Sequence, residues 1–115
     1  MMKLTEKIKQ IQDGLIQGVY NGNPHLASDD KSYLAGCISY YTELLQQMVR
    51  IRSTEIQEIR QREDVKSDAS AIREWNATEN GLKYTEYEHW CKRIKNLMGG
   101  LKTIIESSRD DSMGI

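Results

Sequence analysis

Phenylalanine is absent from this chain, and proline occurs once, at Pro24. Beyond Pro24 only glycine interrupts the chain's capacity to run as helix. Cysteine occurs twice, at Cys37 and Cys91, with no Cys-x-x-Cys spacing. That excludes a disulfide-dense scaffold and a zinc ribbon. The two read as small buried hydrophobes in a reducing compartment, with a bridge between two long helices as the alternative. No apolar run approaches the ~20 residues a membrane span needs. The opening MMKLTEKIKQIQ is broken everywhere by charge and glutamine, so it holds no signal core, and a cytoplasmic protein is expected. Excess charge of one sign is missing as well: 16 Lys and Arg face 17 Asp and Glu, a net of −1. Attraction of the whole chain to nucleic acid is thereby excluded. Any such binding must come from local patches, or from patches multiplied in an oligomer.

Catalytic signatures are also missing. There is no GxSxG, no Gly-rich phosphate loop and no HExxH. Of the two histidines, His25 falls in a turn, and His89 follows Glu86 by three residues on a helix. That pair could reach one metal, but no other clustered His or Cys completes a site, and a solvated helix face explains it. No catalytic residue, metal site or cofactor is expected.

What is present is helical periodicity. The chain has 115 residues, one domain's worth, with 38% apolar and 29% charged side chains, a balance that suits amphipathic helices. Leu4, Ile8, Ile11, Leu15 and Val19 form a stripe at steps of three and four, predicting a helix over about 3–20 that ends before NGNP. A second helix begins after Pro24 or at Ser28, with Asp29 and Asp30 in its first turn. Its stripe runs through Leu34, Cys37 or Ile38, Tyr41, Leu44 or Leu45, Met48 and Ile51, near a heptad rhythm. We place it over about 28–64, with 75 as the farther limit, because REDVKSDAS is polar enough to break it. NATENG supplies the next turn, with Gly81 suited to a left-handed helix end. A third helix follows over about 82–108, and a tail at 110–115 is expected to fray.

The expected fold is therefore all-α, one helical domain over 1–109. It is a long antiparallel, coiled-coil-like hairpin plus a shorter N-terminal helix. On the third helix Tyr87, Trp90, Ile94, Leu97, Met98, Leu101, Ile104 and Ile105 give more apolar edge than one partner needs. A small three-helix chain buries only a modest core, so these residues are expected to form a homo-oligomer interface. Gly99 and Gly100 interrupt that helix and suggest a close helix crossing, or a hinge.

Basic residues cluster twice. Arg50, Arg52, Arg60, Arg62 and Lys66 stand on the second helix, and Lys92, Arg93 and Lys95 on the third, away from its apolar stripe. They read either as solvated faces with i,i+4 ion pairs or as phosphate-contacting surfaces. Tyr33, Tyr40, Tyr84 and Tyr87 could stack on bases, or belong to the core.

Two stretches resemble the UvsY-type recombination mediators of T-even-like phages. In QMVRIRSTEIQEIRQR, residues Met48, Arg50, Ile51, Arg60 and Arg62 match the family's basic helical segment, while Glu55 and Ile56 stand where it has lysines. In HWCKRIKNLMGGLKTIIESSR the matching residues are Trp90, Gly99, Leu101, Ile104 and, one position displaced, Ser108 and Arg109. The resemblance covers about a third of the chain, which is shorter and less basic than the family norm. It implies a ring-like helical oligomer in a bacterial host cell that binds single-stranded DNA. Such a protein helps a RecA-like recombinase displace single-strand-binding protein. The second helix would then contact the DNA backbone and the C-terminal helix would drive assembly. The alternative function is a structural or adaptor protein acting through protein–protein contacts, with no nucleic-acid role.

Overall fold

The computed structural model describes residues 3–113. Among them are four α-helices and no strand: α1 (Leu4–Gln17), α2 (Pro24–Arg60), α3 (Asp68–Asn76) and α4 (Glu79–Met113). The fold is all-α, with one helix more than the periodicity suggests. The chain groups into two compact units, Met1–Ser39 with Lys92–Ile115 and Tyr40–Cys91. The long helices α2 and α4 each contribute residues to both.

In the first unit, α1 buries the expected stripe: Ile8 and Ile11 are fully enclosed. Each such side chain contributes roughly 1.5–3 kcal/mol by leaving water. Glu6 accepts the Lys3 backbone N–H at 3.3 Å and so supports the first turn. The helix stops at Gln17, short of the expected end near 20, because Gly18 turns left-handed at φ 75° and its N–H bonds back to the last turn. Gly14 lies against the Tyr20 ring; a Cβ there would fall 2.9 Å from that ring. Tyr20 can therefore fold back onto α1, where it is buried. α2 begins at Pro24, not Ser28, because proline at the first helical position loses no hydrogen bond. Ala27, Leu34 and Cys37 of α2 and Ile94, Leu97 and Leu101 of α4 complete the buried apolar set.

In the second unit, the later part of α2 and the early part of α4 run antiparallel. Tyr41 stacks on Trp90 at 6.0 Å, and Arg52, eleven residues on, lies over Tyr84. This is the expected hairpin. The helix expected to reach 64 or 75 ends at Arg60, however, and 68–76 forms α3. The physical reason is a locally satisfied corner. Val65 folds inward to 7% exposure, its carbonyl accepts from Arg60 Nη1 at 3.0 Å, and the Ser67 hydroxyl caps α3 by accepting from the Ser70 N–H at 3.1 Å.

Two further expectations need correction. Gly81 is not a left-handed helix end. It sits inside the first turn of α4, where Thr78 Oγ1 accepts its N–H at 3.1 Å, and a Cβ there would stand 2.0 Å from the Trp75 carbonyl oxygen. Glycine is required for close approach, so α4 starts at Glu79, ahead of the expected 82. Gly99 and Gly100 do not interrupt α4. Gly99 faces open space, and Gly100 meets only the Leu15 side chain, at a distance a Cβ would tolerate. Of the tail expected at 110–115, α4 takes in the stretch to Met113, and residues 114 and 115 lie outside the described residues.

Gly81→Ala is expected to destabilise the chain by about 2 kcal/mol, a Tm loss on the order of 10 °C. Gly99→Ala, on an open helix face, should leave Tm unchanged or raise it. Thermal unfolding followed by circular dichroism reads both, and an unchanged Tm in Gly81→Ala would remove the close-approach argument.

Candidate functional site

The basic residues expected to meet phosphate divide sharply once their surroundings are known. Arg60 donates from Nε to Asp68 Oδ1 at 2.9 Å. Arg62 grips Asp64 with both Nε (3.0 Å) and Nη2 (2.7 Å), and its Nη1 reaches Glu74 at 2.9 Å. These two hydrogen-bonded carboxylates raise the Arg62 pKa above its ordinary value, and Arg62 holds the Asp64 carboxyl below the usual range. Arg52 lies over the Trp75 and Tyr84 rings, its guanidinium carbon 5.5 and 5.3 Å from their centroids. Three of the five cations expected to bind DNA on the second helix therefore serve the unit's own architecture. Arg50 is exposed on α2. Lys66 is exposed too; it and Arg62 stand in the segment between α2 and α3 and not on a helix.

The unit that carries these cations is acidic. Tyr40–Cys91 contains seven Lys and Arg against ten Asp and Glu, a net of −3. The remainder of the chain contains nine against seven, a net of +2. A polyanion is repelled by the first balance and attracted by the second.

On α4, Lys92 and Lys95 are exposed, and so is Lys102, whose Nζ lies 3.9 Å from Glu106 Oε1. At 100° per residue these three lysines fall within a sector about 80° wide. Arg93 lies outside that sector, is half-buried and donates to Gln12 Oε1. Lys102, absent from the expected set, stands one heptad beyond Lys95, and that spacing was available to find it.

The expected self-assembly face is largely used within one chain. Ile94 and Leu101 are fully enclosed and Leu97 is 8% exposed, so they leave water without a second copy. Tyr87, Trp90, Met98, Ile104 and Ile105 are half-buried. Trp90 and Tyr87 both meet Tyr41. The side chains left most exposed are others: Ile16 (77%) in the first unit and Leu82 (62%) in the second. Of the tyrosines considered for base stacking, Tyr33 and Tyr40 are exposed, while Tyr84 and Tyr87 are half-buried.

Two polar clusters were not anticipated. In the second unit Glu55 accepts from Trp75 Nε1 at 3.0 Å and from Asn80 Nδ2 at 3.0 and 3.1 Å. The indole bond, then the amide, hold the Glu55 carboxyl below the usual carboxylate range. In the first unit Asp30 is 8% exposed, accepts the Tyr20 hydroxyl at 2.6 Å and lies 3.4 Å from Lys7 Nζ. Burial first, and Asp30 second, push the Tyr20 hydroxyl pKa well above its ordinary value, so Tyr20 keeps its proton and acts as a donor. This cluster borders an open groove of ≈ 510 Å³ shared with Gly14, Val19 and Leu26. Burial likewise raises the Cys37 thiol pKa, which makes it a poor nucleophile. Among the described residues no group of three or more His, Cys, Asp or Glu could hold a metal ion.

Known protein families, curated proteins and solved structures offer no match to this chain. Among the described residues no helix is long and apolar enough to cross a membrane.

The Glu55 cluster has a pH signature. Its carboxyl holds a proton less tightly folded than unfolded, so its contribution is present above the ordinary glutamate range and is lost as the pH falls through the lower folded-state value. Glu55→Gln should therefore show a smaller Tm loss between pH 7 and pH 3.5 than the parent chain. Equal losses in both would mean that Glu55 is not acting as a charged acceptor.

Proposed function

We propose that this chain is a non-enzymatic helical protein that binds single-stranded DNA through the outer face of α4. The observation that supports this reading is the exposed set Lys92, Lys95 and Lys102 in a unit of net charge +2. From Lys92 to Lys102 the helix rises about 15 Å, a length over which an extended strand presents several phosphates. The reading moves the contact away from α2, where the resemblance to UvsY-type mediators would put it. Arg60, at the end of α2, and Arg62, just beyond it, are tied to Asp68, Asp64 and Glu74. The resemblance supports the fuller form of the proposal, a cytoplasmic homo-oligomer that assists a RecA-like recombinase against single-strand-binding protein. Assembly would repeat the lysine face around a ring, so that one strand meets several such faces at once.

A second reading, an adaptor that works through protein contacts alone, is favoured by the apolar side chains left in water, above all Ile16 and Leu82.

Titration of a fluorescent oligonucleotide over a range of salt concentrations separates the two. Three lysine–phosphate contacts predict a slope of about −2 in log K against log salt for each chain. Lys92→Gln with Lys95→Gln and Lys102→Gln should flatten that slope and leave the helical signal unchanged. Absence of binding at low salt would end the DNA reading in favour of the adaptor. Light scattering tests assembly independently: the mass of one subunit at micromolar concentration would remove the oligomer from the proposal.

A further inference from the structure

Arg52 is an orphan in the second unit. Its Nε is shut away from water and finds no hydrogen-bond partner, and no ion pair holds the guanidinium among the described residues. The Trp75 and Tyr84 rings stabilise its charge, but rings are weak acceptors for N–H groups. Glu55, one turn along α2, has both oxygens engaged by Trp75 and Asn80. The guanidinium has five donors; its Nη groups, unlike Nε, are not shut away from water and have no protein partner among the described residues, so they are open to an acceptor from outside the chain.

Arg52 borders an open groove of ≈ 370 Å³. Arg60 lines the same groove, with its Nη2 uncommitted among the described residues beyond the bonds of Nε and Nη1 to Asp68 and Val65. Ser53 and Gln57 add a hydroxyl and an amide, and Ile56 and Ile72 form an apolar wall. The one carboxylate present is Asp68, 87% exposed and free to swing out. Two guanidiniums, a hydroxyl and an amide offer more donors than one carboxylate can use, and suit the three terminal oxygens of a phosphate. The apolar wall suits an organic substituent beside it.

We infer that this groove binds the phosphate of a small organic phosphate, held by Arg52 and Arg60. The site is separate from the α4 lysine face. The net charge of −3 around it repels an extended polyanion but leaves a discrete ligand within reach of two arginines.

The test is titration of the full chain with phenyl phosphate and with inorganic phosphate at constant ionic strength, following the arginine side-chain NMR resonances. Saturable movement of the Arg52 and Arg60 signals is expected, with phenyl phosphate the tighter of the two. Arg52→Gln should weaken binding about tenfold or more. Asp68→Asn removes the competing carboxylate from an exposed position and should tighten binding about threefold, which keeps the test intact if Arg52→Gln fails to fold. The triple lysine variant should bind phenyl phosphate as the parent does, so failure of the α4 reading and failure of this one are distinguishable. No saturable movement with either compound overturns the inference, as does unchanged affinity in Asp68→Asn. Equal affinity for the two compounds overturns the organic ligand. Displacement of phenyl phosphate by an oligonucleotide in the triple lysine variant would assign the groove to a polyanion instead.

Discussion

An indole as large as that of Trp75 gains several kcal/mol by leaving water, but only if its N–H finds an acceptor on the way in. In this chain the acceptor is Glu55, and much of the second unit follows from that bond. α3 must lie close enough to α2 for a 3.0 Å contact, so the chain cannot continue as one helix past Arg60. The connection back into α4 must then start beside the Trp75 backbone, where its carbonyl oxygen leaves no room for a Cβ at Gly81. Asn80 takes the remaining capacity of the same carboxylate and ties the start of α4 to α2. Arg52 covers the indole, and its Nε is left without an acceptor. One buried ring thus sets a helix length, a glycine and an orphaned cation.

The parts of the fold that were legible in the sequence are those encoded by period. Ile8 and Ile11 recur at the helical step and are enclosed; Ile94 and Leu101 do the same seven residues apart. The parts that were not legible depend on contacts between residues far apart in the chain. In REDVKSDAS the polar composition suggests a break, but not that Val65 folds inward or that Ser67 caps a nine-residue helix, because that helix is held in place by Trp75 on Glu55, twenty residues away. Gly81 looked like a chain reversal because glycine serves both left-handed turns and close approach, and only the position of Trp75 distinguishes them.

Charge was the least legible property. A net of −1 suggests an indifferent surface, yet the two units carry +2 and −3. Because α2 and α4 each pass through both units, a count along either helix mixes the two balances. The same mixing blurred the candidate site: five cations on one stretch looked like one basic face, whereas their neighbours in space are Asp64, Asp68, Glu74 and two aromatic rings.

The division of labour between arginine and lysine follows from their chemistry. Guanidinium is planar, weakly hydrated and able to hold two acceptors at once, so it can be spent inside a structure, as Arg62 is between Asp64 and Glu74. Ammonium is strongly hydrated and stays at the surface, as Lys92, Lys95 and Lys102 do on α4. A surface that must attract a flexible polyanion without fixing its geometry is well served by such lysines. A pocket that must hold one phosphate in one orientation needs arginines whose positions are already constrained. Arg60 is constrained by its bond to the Val65 carbonyl, and Arg52 by the rings of Trp75 and Tyr84. The cations that were removed from a DNA surface by their internal contacts are, by those same contacts, pre-positioned for a small anion.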